Sequence, residues 1–250
     1  MTAPHRIVLF GAVIAATALA MIGPAAAQSL SLDLGSGGSS TGRIVQMVVL
    51  LTVLSLAPSI LVMATSFTRI VVVLSFLRSA MGAQQTPPNA VLVSLALFLT
   101  AFVMTPTLEK SYRDGLLPLI ENQITEEQAI ERSIAPVHGF MMAHVREQDL
   151  KLFMDISNTP DVARGADTPL RALIPAFMIS ELKRAFEIGF LLFLPFVIID
   201  MVIASILMSM GMMMLPPVMI SLPFKLIFFV LVDGWYLVAG SLVQSYGGGG

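Results

Sequence analysis

The sequence contains no cysteine and little charge. The lack of cysteine excludes disulfide bonds, thiolate metal sites and a cysteine nucleophile. Only 12% of the 250 residues are charged, against about 25% in an ordinary soluble domain. The formal net charge of −2 gives no sign of the basic face that nucleic-acid binding requires. We therefore expect neither a disulfide scaffold nor a nucleic-acid partner.

The common catalytic motifs are also missing. The chain has no phosphate-binding lysine loop, no G-x-G-x-x-G after a strand, no H-E-x-x-H and no G-x-S-x-G. His138 and His144 are six residues apart, a spacing that does not put them on one face of a helix. We therefore expect no catalytic residue, no metal site and no cofactor.

Apolar residues dominate the composition. They make up 56% of the chain, and the mean hydropathy is +0.86, as is typical of a membrane protein. Four apolar stretches can be separated, at residues 44–62, 89–104, 186–210 and 218–243. A lipid-spanning helix needs about 20 apolar residues, so the second stretch is marginal and the other three suffice. The pattern predicts an all-α protein of integral-membrane-type helical hairpins.

The N-terminus is typical of a secretory signal. His5 and Arg6 precede an apolar run at 7–22, and Ala25-Ala26-Ala27 offers a cleavage pattern. The alternative is an uncleaved first membrane helix, but the small residues and the polar sequence that follows favour cleavage. We predict a signal peptide at 1–27, a flexible linker at 28–43 and a glycine tail at 247–250.

Charge is concentrated in the middle of the chain. Residues 109–184 hold 12 acidic and 9 basic residues, which predicts a small, water-exposed helical domain between two hydrophobic pairs at 44–108 and 185–246. The loop of the first pair carries Arg69 and Arg78 and no acid. The positive-inside rule places that loop in the cytoplasm, and hence the charged domain in the periplasm.

Within the charged domain the pattern predicts two helices. Thr125 precedes two acids and is a candidate N-cap. The stretch 146–157 predicts a short amphipathic helix in which Leu150 and either Phe153 or Met154 face inward.

Three charges interrupt the last two apolar stretches: Asp200, Lys225 and Asp233. A charge at the bilayer centre costs about 2.5 to 3.5 kcal/mol on insertion scales, so each needs a partner or a wet cavity. If the chain turns near Met214, Asp200 lies 14 residues before the turn and Lys225 lies 11 after it. Their axial offset is then about 4.5 Å. We predict a charge pair, with a structural role or a part in conduction both open.

Pro195 and Pro223 lie inside the same two stretches, and each removes a backbone hydrogen bond. Such positions predict broken helices, which are tolerated where neighbouring protein satisfies the backbone. This favours an assembly of several subunits over a bundle surrounded by lipid. Lys183 and Arg184 are interpreted as interfacial anchors, and Glu181 is left open as a subunit contact.

Three long segments carry a family resemblance. They are "PSILVMATSFTRIVVVLSFLRSAMGAQQTPPN", "FLLFLPFVIIDMVIASILMSMGMMMLPP" and "LPFKLIFFVLVDGW", and they closely resemble the FliP family of flagellar type III export proteins. The resemblance covers residues 42–245. It implies a homo-oligomer, a pentamer, which joins FliQ and FliR in a helical export-gate cone. It also implies FlhA and FlhB as further export components, unfolded flagellar proteins as substrates, and a place in the flagellar basal body at the bacterial inner membrane.

The resemblance further implies a gate lined by a methionine-rich loop. Methionine is apolar, unbranched and rotationally free, so several copies can seal a pore and repack around a passing chain. Hydrophobic constrictions also gate by dewetting. The predicted gate residues are Met208, Met210, Gly211, Met212, Met213 and Met214. The candidate subunit contacts are Phe153, Glu181 and Asp233.

The leading hypothesis is thus a non-enzymatic gate subunit of a protein-export channel. A small-solute or ion transporter that uses Asp200 and Lys225 is the alternative, although the two pairs of apolar stretches show no evident internal repeat of the kind found in many transporters. The third hypothesis is a purely structural scaffold around which other proteins form the channel.

Overall fold

The computed structural model describes residues 40–83, 86–157, 165, 167–212 and 214–247. These residues form α-helices, with no β-strand among them, which confirms the predicted all-α class. The helices are α1 Ser40–Ala64, α2 Phe67–Ala80, α3 Asn89–Ser111, α4 Leu117–Ile120, α5 Glu126–His144, α6 Glu147–Ile156, α7 Leu170–Ser209, α8 Pro217–Leu231 and α9 Gly234–Gly247, with a π-helical turn Tyr112–Leu116 between α3 and α4. The predicted signal peptide, Met213 and residues 248–250 of the glycine tail lie outside the described residues.

The described residues fall into two units, divided between Thr52 and Val53. Helix α1 begins at Ser40, four residues before the first apolar stretch, so the last residues of the predicted linker are helical. The second unit contains every helix from α2 to α9.

Helix α2 lies at the centre of the second unit. Ile70, Val73, Leu74 and Leu77 are fully buried there, in a core shared with α3, α7 and α9. The sequence predicts only a loop between two crossings at this position. An apolar run of this length is too short to span a bilayer, but it suits a helix buried in a protein core. On α7, a Cβ at Gly189 would lie 2.6 Å from the Phe76 ring, so glycine allows α7 to approach α2 closely.

Both predicted borders of the charged segment fall inside long helices. Asn89–Ile120 runs for 32 residues and Leu170–Ser209 for 40, and at 1.5 Å per residue the latter is about 60 Å long. The charged segment therefore continues into both long helices. Helix α5 packs on α3 and α7, and α6 packs on α7, while the assignment of 109–184 as a separate domain stays a prediction.

A second core joins α5 and α6 to α7. Its buried members include Met141, Leu150 and Met154, with Phe177 of α7 at the centre, and Phe153 packs against it half-buried. The predicted N-cap is present, since Thr125 and Gln128 form a reciprocal capping box at the start of α5.

In the described part of the chain, fewer helices can cross a membrane than the four predicted. Asn89–Ile120 and α7 are long and apolar enough, and α8 with α9 passes the same test as a pair bent by 62°. At the first predicted crossing, the described part of α1 gives a shorter apolar stretch, Met47–Leu56.

The sequence predicts helix breaks at prolines, but the bend between α8 and α9 does not lie at a proline. Pro195 and Pro223 both lie inside continuous helices. The break comes at Asp233, whose φ of 52° is left-handed, and a residue in this conformation ends a helix more sharply than the loss of one hydrogen bond.

Candidate functional site

The methionine-rich segment forms a tight turn at the end of α7. Gly211 has a φ of 74°, the left-handed conformation that glycine adopts at least cost. The amide of Met212 donates to the Leu207 carbonyl at 2.9 Å, and that of Gly211 donates to the Met208 carbonyl at 3.1 Å. These two bonds form a Schellman motif, so the turn is defined although most of its side chains are exposed.

The described side chains of this turn have little packing inside the chain. Met208, Met210 and Met212 are exposed, and Met214 is 99% exposed. The turn borders an open pocket of about 270 Å³, which is lined by Ala204, Leu207, Met208, Met212, Leu215 and Pro217. A contiguous apolar surface of this kind marks a site of interaction rather than ordinary surface. The predicted gate residues that are described therefore share one exposed apolar surface, which we call the methionine turn, residues 208–212, 214 and 215.

The structure brings Asp200 and Lys225 together. The Lys225 ammonium lies 2.6 Å from Asp200 Oδ2 and donates to the Ala80 carbonyl at 3.2 Å. The Ser221 hydroxyl donates to Asp200 Oδ1 at 2.5 Å. Ala80 is the last residue of α2, where a cation is stabilised by the partial negative charge of the helix end. One ammonium thus joins α8 to both α7 and α2.

A second polar cluster is enclosed by the core, and sequence reasoning did not find it. Arg69 Nε donates to Glu181 Oε2 at 2.9 Å, and Nη2 donates to Oε1, a bidentate pair. The Tyr246 hydroxyl donates to the same carboxylate, while the Arg69 guanidinium lies 3.8 Å from the centre of the Tyr246 ring. Arg69 Nη1 also donates to Ser245 Oγ at 3.0 Å. The cluster ties α2 to α7 and α9.

Two earlier interpretations change here. Arg69, which the sequence suggests as a cytoplasmic loop charge, lies in the core. Glu181, a candidate subunit contact, has a fully buried side chain paired within its own chain, so its carboxylate does not reach a surface. One feature of the sequence could have indicated this pair. Glu181 follows the apolar residues around Phe177, and a charge buried among such residues requires a partner.

The other candidate residues lie apart from these clusters. Asp233 is exposed at the α8–α9 bend, and Phe153 belongs to the second core. His138 Nε2 bonds the Thr168 carbonyl at 2.7 Å, and His144 Nδ1 bonds the Phe140 carbonyl at 2.8 Å. Among the described residues, no three His, Asp or Glu side chains are grouped as metal ligands.

Comparison of the sequence with known proteins identifies a family. The FliP family profile matches residues 50–242. The flagellar biosynthetic protein FliP of Caulobacter vibrioides is 62% identical over 243 residues, which covers 95% of this chain and 91% of that protein. The FliP proteins of Rhizobium meliloti and Bacillus subtilis are 52% and 55% identical, and cover 91% and 81% of this chain and 95% and 91% of their own lengths. The chain therefore belongs to the FliP family.

Proposed function

We propose that the chain is a non-enzymatic gate subunit of the flagellar protein-export apparatus, and that the methionine turn closes the export channel. The observation that carries this proposal is the exposure of the turn: several methionines project from a defined backbone without a core to fill. Membership of a family whose relatives are named for flagellar biosynthesis supports the same function.

The chemistry of the turn suits such a gate. A resting export channel must exclude water and ions, yet it must admit unfolded chains of varied sequence. Thioether side chains are flexible enough to repack around different residues, and an apolar ring excludes water when it closes. The Schellman hydrogen bonds fix where the ring lies, while the side chains adapt.

A gate of this kind requires several copies, which we propose assemble as a pentamer with FliQ and FliR. FlhA and FlhB would be further partners, and the complex would lie in the flagellar basal body at the bacterial inner membrane. The exposed apolar face of α7, which includes Phe190, Leu191, Ile198 and Met201, supports an extensive lipid or protein contact. The ends of α7 lie too far apart for its 40 residues to fit a bilayer core of about 30 Å without tilt.

The transporter alternative has less support from the same geometry. Asp200 and Lys225 bond each other, Ser221 and the Ala80 carbonyl. These contacts occupy the groups that a solute or ion would have to bind. The pair therefore fits a link between helices better than a vacant binding site.

Site-specific photocrosslinking tests the proposal. A photoreactive residue at Met212 or Met214 should crosslink to a stalled export substrate in the assembled complex. The same residue at Met201, an exposed methionine of α7 that lies about 12 Å before the end of the helix at Ser209 by rise per residue, is the matched control. Equal crosslinking at Met201, or none at the turn while substrate is stalled, would exclude a gate at this position.

A further inference from the structure

A charged pocket lies where the sequence of α7 changes from polar to apolar. The pocket is open, has a volume of about 570 Å³, and is lined by Arg146, Glu147, Gln148, Lys151, Lys183 and Glu187. These residues come from the first half of α6, with its N-cap, and from one stretch of α7. Three of the side chains are cationic and two are anionic. The pocket therefore suits a ligand that carries both a negative and a positive group.

The guanidinium of Arg146 is held in place by its own chain. Its Nε lies 3.1 Å from Asp149 Oδ2, and its Nη2 donates to Asp149 Oδ1 at 3.2 Å. Asp149 is buried and accepts a hydrogen bond from the Ser180 hydroxyl at 2.7 Å. The remaining nitrogen, Nη1, is buried and has no hydrogen-bond partner among the described residues. The guanidinium is thus preorganised, and not all of its donors are used.

The N-terminus of α6 adds positive charge to the same pocket. The amides of Asp149 and Leu150 donate to the Arg146 carbonyl and close the first turn. The amides of Glu147 and Gln148 come before them and have no partner within the helix. Helix N-termini carry a partial positive charge and bind phosphate groups. The helix end, the guanidinium and the two lysines therefore all favour a phosphate in this pocket.

An apolar stripe continues from the pocket along α7. Lys183 and Glu187 are one turn apart and form an exposed pair at 3.6 Å. The following residues on their face of the helix, at helical spacing, are all exposed: Leu191, Leu194, Ile198 and Met201. From Leu191 to Met201 the stripe is about 15 Å long. This is half of a hydrocarbon core of about 30 Å, the depth of one leaflet.

We propose that the pocket and the stripe together bind one zwitterionic phospholipid. The phosphate of a phosphoethanolamine headgroup binds at the N-terminus of α6, with Arg146, Lys151 and Lys183 around it. The ammonium of the headgroup binds Glu187, and an acyl chain covers the stripe. Pockets with basic residues beside membrane helices bind lipid headgroups. This site is separate from the methionine turn and does not depend on the proposed gate.

The charges and the stripe favour this ligand over a free anion. A free phosphate would meet the carboxylates of Glu147 and Glu187 as well as the cations, and it would leave the stripe uncovered. A phospholipid with a net negative headgroup would also lie beside those carboxylates without an ammonium to pair with them. An exposed apolar surface marks a site of interaction, and here it begins at the charged pocket on the same helix face. A zwitterionic phospholipid matches both parts.

Photocrosslinking in vesicles of known composition tests the site. A photoreactive residue replaces Leu191 in the purified complex, which is reconstituted in equal amounts of phosphatidylethanolamine and phosphatidylglycerol. Mass spectrometry of the adduct identifies the lipid. Adducts of phosphatidylethanolamine should exceed those of phosphatidylglycerol by about fivefold, the usual effect of one charge contact at a membrane surface. At Ile227, an exposed apolar position on α8, the adducts should follow the vesicle composition.

Variants of the pocket show whether it causes the preference. Lys151→Gln combined with Lys183→Gln should reduce the adducts at Leu191 to the vesicle composition, while the mass of the complex stays the same. Lys110→Gln changes an exposed lysine of α3 outside the pocket, so it is the matched control and should keep the preference. Excess inorganic phosphate should not displace the lipid, because it has no acyl chain to cover the stripe.

The same experiment can contradict the proposal in several ways. Phosphatidylglycerol adducts as frequent as those of phosphatidylethanolamine at Leu191, or a preference that persists in the double variant, would overturn the site. Displacement of the lipid by inorganic phosphate would make the pocket a site for a free anion. An adduct with another protein chain in place of lipid would make the stripe a subunit contact. Each of these outcomes leaves the proposed gate standing, since none involves the methionine turn.

Discussion

The two ion pairs of the second unit differ in their surroundings. Arg69 and Glu181 have side chains that are 1% and 0% exposed, and the Tyr246 ring and hydroxyl complete their contacts. Lys225 and Asp200 are 5% and 32% exposed, and each lies about 12 to 14 Å along its helix from the methionine turn by rise per residue. The same chemistry therefore occurs once in the interior and once at an edge.

This difference suggests different roles. A fully enclosed pair cannot separate without leaving a buried charge, so it fixes the packing of α2, α7 and α9. A pair with one carboxylate partly in water can separate at lower cost, since water replaces the lost bonds. The interior pair therefore suits a permanent joint, and the edge pair suits a contact that forms and breaks.

The largest effect should come from the interior pair. Glu181→Gln leaves the Arg69 guanidinium buried without a counter-charge, which should cost about 3 to 5 kcal/mol in the free energy of unfolding. Thermal or denaturant unfolding of the purified protein measures the loss. Lys183→Gln on the same helix is the control, because the Lys183–Glu187 pair is exposed and should change stability by less than about 1 kcal/mol.

Removal of both interior charges tests whether the loss in Glu181→Gln comes from a buried charge left without a partner. Arg69→Met with Glu181→Leu should recover much of the stability that either single change loses, since no charge is then left unpaired. If Glu181→Gln proves as mild as Lys183→Gln, the enclosed pair is not the joint that we describe.

A smaller loss is expected at the edge pair. Asp200→Asn removes the charge opposite Lys225 but keeps the shape, and should cost about 1.5 to 3 kcal/mol, the usual worth of a hydrogen bond to a charged group. Combined with Lys225→Met, the loss should be less than the sum of the two single losses. A double-mutant cycle on unfolding and on export measures this coupling, and strictly additive losses would show that the two residues act independently.

The edge pair could be predicted from sequence and the interior pair could not. Asp200 and Lys225 lie on two helices joined by one short turn, so counting residues from the turn gives their relative height. Arg69, Glu181 and Tyr246 come from three helices separated by 112 and 65 residues along the chain. No local pattern relates them, and only the packing of α2 between its neighbours brings them together.

Hydropathy predicted the helical class well but gave wrong helix ends. Hydropathy detects apolar composition, so it predicts that a helix ends where charged residues begin. Helix α7 continues through Glu181 and Lys183 because its backbone hydrogen bonds do not depend on the side chains. The α8–α9 bend was missed for a related reason. A proline is visible in sequence, but the left-handed conformation of Asp233, next to a glycine whose Cβ would overlap the Phe229 ring, is not.

The smallest effect on stability should come from the methionine turn itself. Met212→Ser with Met214→Ser changes exposed side chains, so the free energy of unfolding should stay within about 0.5 kcal/mol of the unaltered protein. A large loss of stability would show that the turn is packed, which would remove the contrast with the interior pair.

Ion flux through the purified complex, reconstituted in vesicles, tests the gate most directly. With Met212→Ser and Met214→Ser, we predict that resting flux rises by about tenfold or more, since hydroxyl groups let water enter a constriction that methionine keeps dry. The mass of the complex should not change. Flux equal to that of the unaltered protein, in a complex of unchanged mass, would contradict the assignment of the methionine turn as the gate.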